Sequence, residues 1–186
     1  MEKSPARRSA ARTRLLEAAA RIFYAEGIHA IGVDRVIEEA DVSRATFYRH
    51  FPSKDELVRA YLEAEDHAIR ANVAAAAERF DNPREVLEGL VSGLGDQICG
   101  AGFRGCPFIN AAVEYPDPAH PVRQAVRAHR DWFAGALSEL AVASGIPAEL
   151  SGTLVFLRDG AMVGGYLEEP EAVRAQLLLS VRALVR

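Results

Sequence analysis

Apolar residues recur at intervals of three and four almost throughout the chain, and this helical spacing is what most limits the fold. From Arg12 onward Leu15, Ala19, Ile22 and Phe23 share one face, and Gly27 follows where a left-handed C-cap is favoured. A shorter helix over Val33 to Ala40 turns Val36, Ile37 and Ala40 inward. After Asp41 and Val42, Ser43 can accept from the free amides of a third helix, Arg44 to about His50, which ends before Pro52. Ser53, with Glu56 three residues on, opens a long proline-free helix to about Phe80, carrying Leu57, Tyr61, Ala64, Ala68, Ala71 and Ala75. Further helices are expected from Pro83 through Leu94, from Ile109 to about Glu114, from Val122 through Leu140, from Ala148 to about Leu167, and from Pro170 to Arg186. Pro116, Pro118 and Pro121 make an extended connector of Tyr115 to Pro121. The zone holding Gly89, Gly93, Gly95, Gly100, Gly102 and Gly105 is expected to be comparatively mobile, because glycine weakens helices by about 1 kcal/mol each. With no strand alternation and no internal repeat, the fold class is all-α, with about nine helices.

Composition narrows the function classes. With 186 residues, 49% hydrophobic and 26% charged, the chain suits one or two globular domains. No apolar run approaches the roughly 18 to 20 residues of a membrane span, and no apolar stretch follows the basic N-terminus, so a cytoplasmic protein without signal peptide is expected. Cys99 and Cys106 are too few for a disulfide scaffold and lack zinc-ligand spacing. The net charge of -4 hides an asymmetry: residues 1–54 hold 10 Lys/Arg against 7 Asp/Glu, and residues 55–186 hold 12 against 19. The basic end is the amino-terminal end, as expected where nucleic-acid binding is confined to one small domain. Enzymatic motifs are missing: no Gly-x-Ser-x-Gly, no phosphate-cradling loop, no His-Glu-x-x-His. The histidines at 29, 50, 67, 120 and 129 show no ligand spacing, and Asp34 with Glu38 reads as an ordinary helix pair. Neither an enzyme nor a cofactor or metal site is expected.

Two short helices joined by a three-residue turn form a helix-turn-helix pattern, in which the first helix braces the second for entry into a major groove about 12 Å wide. By periodicity alone, residues 33–50 read equally as a core helical hairpin. The side chains of the third helix shift the balance. Val42, Phe47 and Phe51 supply packing, while Arg44, Thr46, Tyr48, Arg49, His50 and Lys54 form a row of donors that contains no acid.

Residues 12–62, above all Val42-Ser43-Arg44-Ala45-Thr46-Phe47-Tyr48-Arg49-His50-Phe51-Pro52-Ser53-Lys54-Asp55-Glu56-Leu57, resemble the DNA-binding domain of the TetR family of bacterial transcriptional regulators, over about a quarter of the chain. The resemblance implies a helix-turn-helix domain over 1–54 and an effector-binding and dimerisation domain over 55–186. It further implies a homodimer through the last two helices, a palindromic double-stranded DNA operator, and release by a small-molecule effector, most simply as a repressor. Carried over by position, Arg44, Ala45, Tyr48 and Arg49 face base edges, while Thr46, Tyr48, His50 and Lys54 hold phosphates. Arginine suits guanine and the Ala45 methyl a thymine. Asp41 and Gly32 depart from the family's usual turn glycine and hydroxyl cap, and Ile37 is larger than the usual small residue. Each is expected to cost little. Arg7, Arg8, Arg12 and Arg14 read equally as a phosphate-touching arm or a solvated end.

In the carboxy-terminal region Leu154, Leu157, Ala161, Gly164, Gly165, Leu177, Leu178, Val181 and Leu184 make two apolar faces for a dimer interface, or for the chain's own core. Phe103, Cys106, Phe108, Asn110, Glu114, His129, Trp132 and Phe133 are the candidates for an effector pocket, an aromatic wall with few polar groups, although aromatics at helical spacing equally build cores. Two alternatives remain: a thiol-based redox regulator using Cys106, which lies near Arg104, and a helical dimerisation module that does not bind DNA.

Overall fold

The computed structural model describes residues 5–185, with side chains from Ala10. Among them it contains nine α-helices and one 3-10 turn, and no strand: α1 (Pro5–Glu26), α2 (Val33–Glu39), α3 (Arg44–His50), α4 (Lys54–Arg79), α5 (Pro83–Ile98), α6 (Pro107–Glu114), α7 (Pro121–Ala143), the turn Ala148–Leu150, α8 (Thr153–Leu167) and α9 (Pro170–Leu184). The all-α fold is as expected, and among the described residues no helix is long and apolar enough to cross a membrane. Two compact units result. One comprises the residues up to Glu65 with Pro107–Val126, the other Asp66–Cys106 with Arg127 onward. This partition by packing is drawn on other grounds than the expected division at residue 54: Leu57, Val58, Tyr61 and Leu62 at the start of α4 are buried in the amino-terminal unit, where Tyr61 meets Phe23 edge-on at 6.0 Å.

In that unit α1 buries Ala11, Leu15, Ala18, Ala19, Ile22 and Phe23. It starts at Pro5, earlier than the apolar spacing predicts, since proline is tolerated in a first turn and no apolar face is needed for the outermost residues. Gly27 takes φ +94° to leave the helix, as expected, and its amide bonds the Phe23 carbonyl at 3.0 Å. Gly32 precedes α2 in extended conformation without a side-chain cap. Asp41 adopts φ +48°, so the turn between α2 and α3 uses the left-handed geometry that a glycine there would supply.

The carboxylate of Glu114, at the end of α6, accepts from the Ile28 amide at 2.8 Å and from the His29 amide, closing the α1–α2 loop. Tyr115 donates to Asp55 Oδ1 at 3.2 Å, and His120 Nε2 lies 3.3 Å from Asp55 Oδ2. Residues 107–126 therefore pack with the amino-terminal helices.

The second unit brings α5, α8 and α9 together. Gly89, Gly93 and Gly95, in the zone expected to be mobile, lie inside α5, where Gly89 and Gly95 are closely packed and Gly93 is exposed. A Cβ on Gly95 would stand 2.7 Å from Arg174 Cγ, and one on Gly165 would collide with Ile98 Cγ2. Gly164 faces Val173 of α9. The close approach that these two α8 glycines permit is thus made within the chain.

Candidate nucleic-acid interface

Helix α3 is seven residues long, too short to hold itself in water, and two devices stabilise it. The Ser43 hydroxyl accepts from the Thr46 amide at 3.2 Å and lies 2.9 Å from Thr46 Oγ1. On the inner side Phe47 and Phe51 are buried, with ring centroids 6.2 Å apart, and Val42 is half-buried. The last turn carries Arg49 and His50 and no acid, which suits the partial negative charge of a helix C-terminus.

That packing decides which side chains face water. Arg44, Ala45, Tyr48 and Arg49 are exposed, and His50 and Lys54 are half-buried. Thr46 is only 8% exposed, and its hydroxyl is engaged by Ser43 and by the Arg49 guanidinium at 3.4 Å, a place inside the helix cap that its type did not reveal. Burial lowers the Lys54 ammonium pKa, against the raising influence of Glu114 and Asp55. The Arg12 guanidinium stands 5.3 Å from the Phe51 ring centroid and Arg14 donates to the Asp41 carbonyl at 3.4 Å. The side chains of Arg7 and Arg8 lie outside the described residues.

The acids of α2 are occupied. Glu38 and Glu39 pair with Arg35 at 3.5 and 3.3 Å, and Glu39 also binds Arg21. Asp34 is bonded to Arg44 of α3, where the sequence suggested only an ordinary pair with Glu38. No negative side chain of α2 thus stands alone beside the donor row.

The eight effector candidates are divided between the two units. His129, Trp132 and Phe133 come together on α7, with His129 stacked on Phe133 at 5.8 Å. Sequence spacing missed their partners Asp66, Arg70, Arg158 and Asp159, although Asp66 and Arg70 stand four apart on one helix. His129 Nδ1 lies 2.7 Å from Asp66 Oδ1, and Arg70 donates to Asp66 Oδ2 at 2.6 Å while its guanidinium sits 3.9 Å from the Trp132 ring centroid. Burial pushes the Asp66 carboxyl up, but the hydrogen bonds from Arg70 and His129 outweigh it and leave Asp66 below the ordinary range. Burial also dominates at His129 and lowers its pKa despite Asp66. Arg158 lies 5.1 Å from the Phe133 ring centroid and shares Asp159 with Arg130. Half-buried Phe103 and buried Cys106 belong to this unit, whereas Phe108, Asn110 and Glu114 belong to the amino-terminal one, where Glu114 serves the loop after α1.

Residues 15–61 match the family described as bacterial regulatory proteins, tetR family. The crystal structure of a TetR-family transcriptional regulator from Streptomyces coelicolor is 48% identical, with a TM-score of 0.92, over 96% of this chain and 95% of that one. The chain belongs to the TetR family. Its members are transcriptional regulators, so the protein is not an enzyme. Among curated relatives, the HTH-type transcriptional regulator LmrA of Bacillus subtilis is 27% identical over 65% of this chain and 66% of its own length. The HTH-type transcriptional activator FasR of Mycolicibacterium smegmatis is 34% identical over 64% of this chain and 55% of its own. The matches thus span less than two thirds of either relative.

Proposed function

We propose that the protein is a one-component regulator in the cytoplasm that binds a palindromic operator as a homodimer and represses until a small molecule releases it. The observation that carries this reading is the outward face of α3, where Arg44, Ala45, Tyr48 and Arg49 stand exposed on a capped and packed helix beside neutralised acids. Carried over from the TetR family's arrangement, Arg44, Ala45, Tyr48 and Arg49 face base edges, where arginine suits a guanine and the Ala45 methyl a thymine. Tyr48, His50 and Lys54 then hold phosphates, with Thr46 behind them in the cap. Such a display disfavours a module that only dimerises, and the burial of Cys106 disfavours a thiol sensor. His129, Trp132 and Phe133, with Phe103 and Cys106 of the same unit, are the residues proposed to meet the effector. Effector and operator then weaken each other's binding by one common factor.

Selection of bound duplexes from a random pool is the direct test. An enriched palindrome with one half-site per subunit is the expected result, and a pool without any enriched sequence would overturn the reading.

The proposed dimer uses α8 and α9, through apolar residues that the single chain leaves uncovered. Leu154, Ala161, Gly165, Leu177 and Val181 are buried within the single chain. Phe156 and Leu167 are left 78% and 70% exposed, and with Val163 and Leu179 they supply the apolar surface that a second copy would cover. Phe156→Glu places a charge in that surface twice per dimer. At about 2 kcal/mol or more per truncated hot spot, self-association should weaken by about a thousandfold. Light scattering after size exclusion should show monomers at micromolar concentration, while an unaltered dimer would remove α8 from the interface.

A further inference from the structure

We propose that Asp34 is a specificity-determining residue, one that orients Arg44 for a single base pair and penalises other sequences. The inference rests on the reading of α3 as the base-reading helix. Asp34 lies in the first turn of α2 and Arg44 is the first residue of α3, and the carboxylate Oδ1 accepts a hydrogen bond from an Arg44 terminal nitrogen. Their side chains are 75% and 62% exposed, so the pair contributes little to stability. Among the paired acids of α2, Glu38 and Glu39 bind arginines of α1 and α2, and Asp34 alone reaches a side chain of α3.

A guanidinium has five N–H donors, and one edge held by a carboxylate leaves others for guanine O6 and N7. A free arginine loses rotamer freedom on pairing, and one already held loses less. The carboxylate also adds discrimination of its own. It only accepts hydrogen bonds, so it tolerates a cytosine or adenine amino group and is repelled by guanine and thymine acceptors and by phosphates. Asp34 therefore lowers affinity for other duplexes relative to the correct one, whose base pair meets an arginine already held in place.

The test compares dissociation constants on the selected palindrome, on palindromes altered at each base pair in turn, and on an unrelated duplex. Asp34→Ala should bind the unrelated duplex as tightly as the parent or more tightly, and should lose about tenfold of the discrimination at the pair read by Arg44. Asp34→Asn keeps an acceptor without the charge and should lose less. With Arg44→Ala already present, Asp34→Ala should change that pair's discrimination no further. Loss of a favourable carboxylate in the first turn of α2 would lower binding equally for all sequences, and unchanged discrimination at every position in Asp34→Ala would overturn the proposal. Absence of any preferred sequence for the parent protein would instead overturn the base-reading role of α3, and this inference with it.

Discussion

Arg44→Ala combined with Arg49→Ala should reduce affinity for the selected palindrome by at least about a thousandfold, to the level of an unrelated duplex. Each bidentate arginine–guanine pair is worth about 1 to 3 kcal/mol of discrimination, and a dimer loses four such side chains. The whole gap between specific and non-specific binding is about 4 to 10 kcal/mol, so little of it can survive. Both side chains lie on the exposed face of α3, and neither belongs to the buried set that holds the helix, so the fold should be unaffected. The salt dependence separates two kinds of contact. Removing base contacts leaves the slope of log affinity against log salt nearly unchanged, whereas Lys54→Ala should weaken all sequences alike and reduce the slope by about 1 per subunit. Affinities measured across a salt series would sink the assignment if the double variant kept its sequence preference, or if its slope fell by about 4.

Phe47→Ala should cost about 3 to 5 kcal/mol, a large fraction of what holds a small helical unit together. The Phe47 side chain is 0% exposed, its ring centroid is 5.1 Å from that of Tyr48, and it fills the space behind a seven-residue helix that cannot persist without packing. Its neighbour Phe51, 6.2 Å away between ring centroids, is buried too. The chain has one tryptophan, Trp132, placed in the second unit, so two optical signals can be compared. In urea, helicity from far-ultraviolet dichroism should begin to fall at lower concentration than in the parent, while Trp132 emission changes later. If both signals kept the parent's midpoints, Phe47 would not be the core of the reading head.

Much of this was readable in advance because it depends on neighbours in the chain. Ser43 as the cap of α3, Ser53 accepting from the Glu56 amide at 3.2 Å, Gly27 ending α1 and Asp41 in the left-handed region are local matters, decided within about one helical turn. Errors collect where local signals are silent. Helix α6 starts at Pro107 instead of Ile109, and α8 starts at Thr153 after a separate 3-10 turn, because proline and glycine near a helix end permit several starts. Gly164 and Gly165 were legible as sites of close approach, but not as contacts to Val173 and Ile98 of the same chain.

The one-dimensional pattern was enough to specify an all-helical chain, the residues that pack α1 to α3 inward, and Arg44, Tyr48 and Arg49 as donors left facing out. Each follows from periodicity and capping, which act over three or four residues. Tertiary structure alone decided that Glu114 closes a loop 86 residues away, that Asp66 meets His129 across 63, and that Asp34 takes hold of Arg44. Carboxylates satisfy whichever donors the packed helices bring within about 3 Å, and that proximity is set by how whole elements cross.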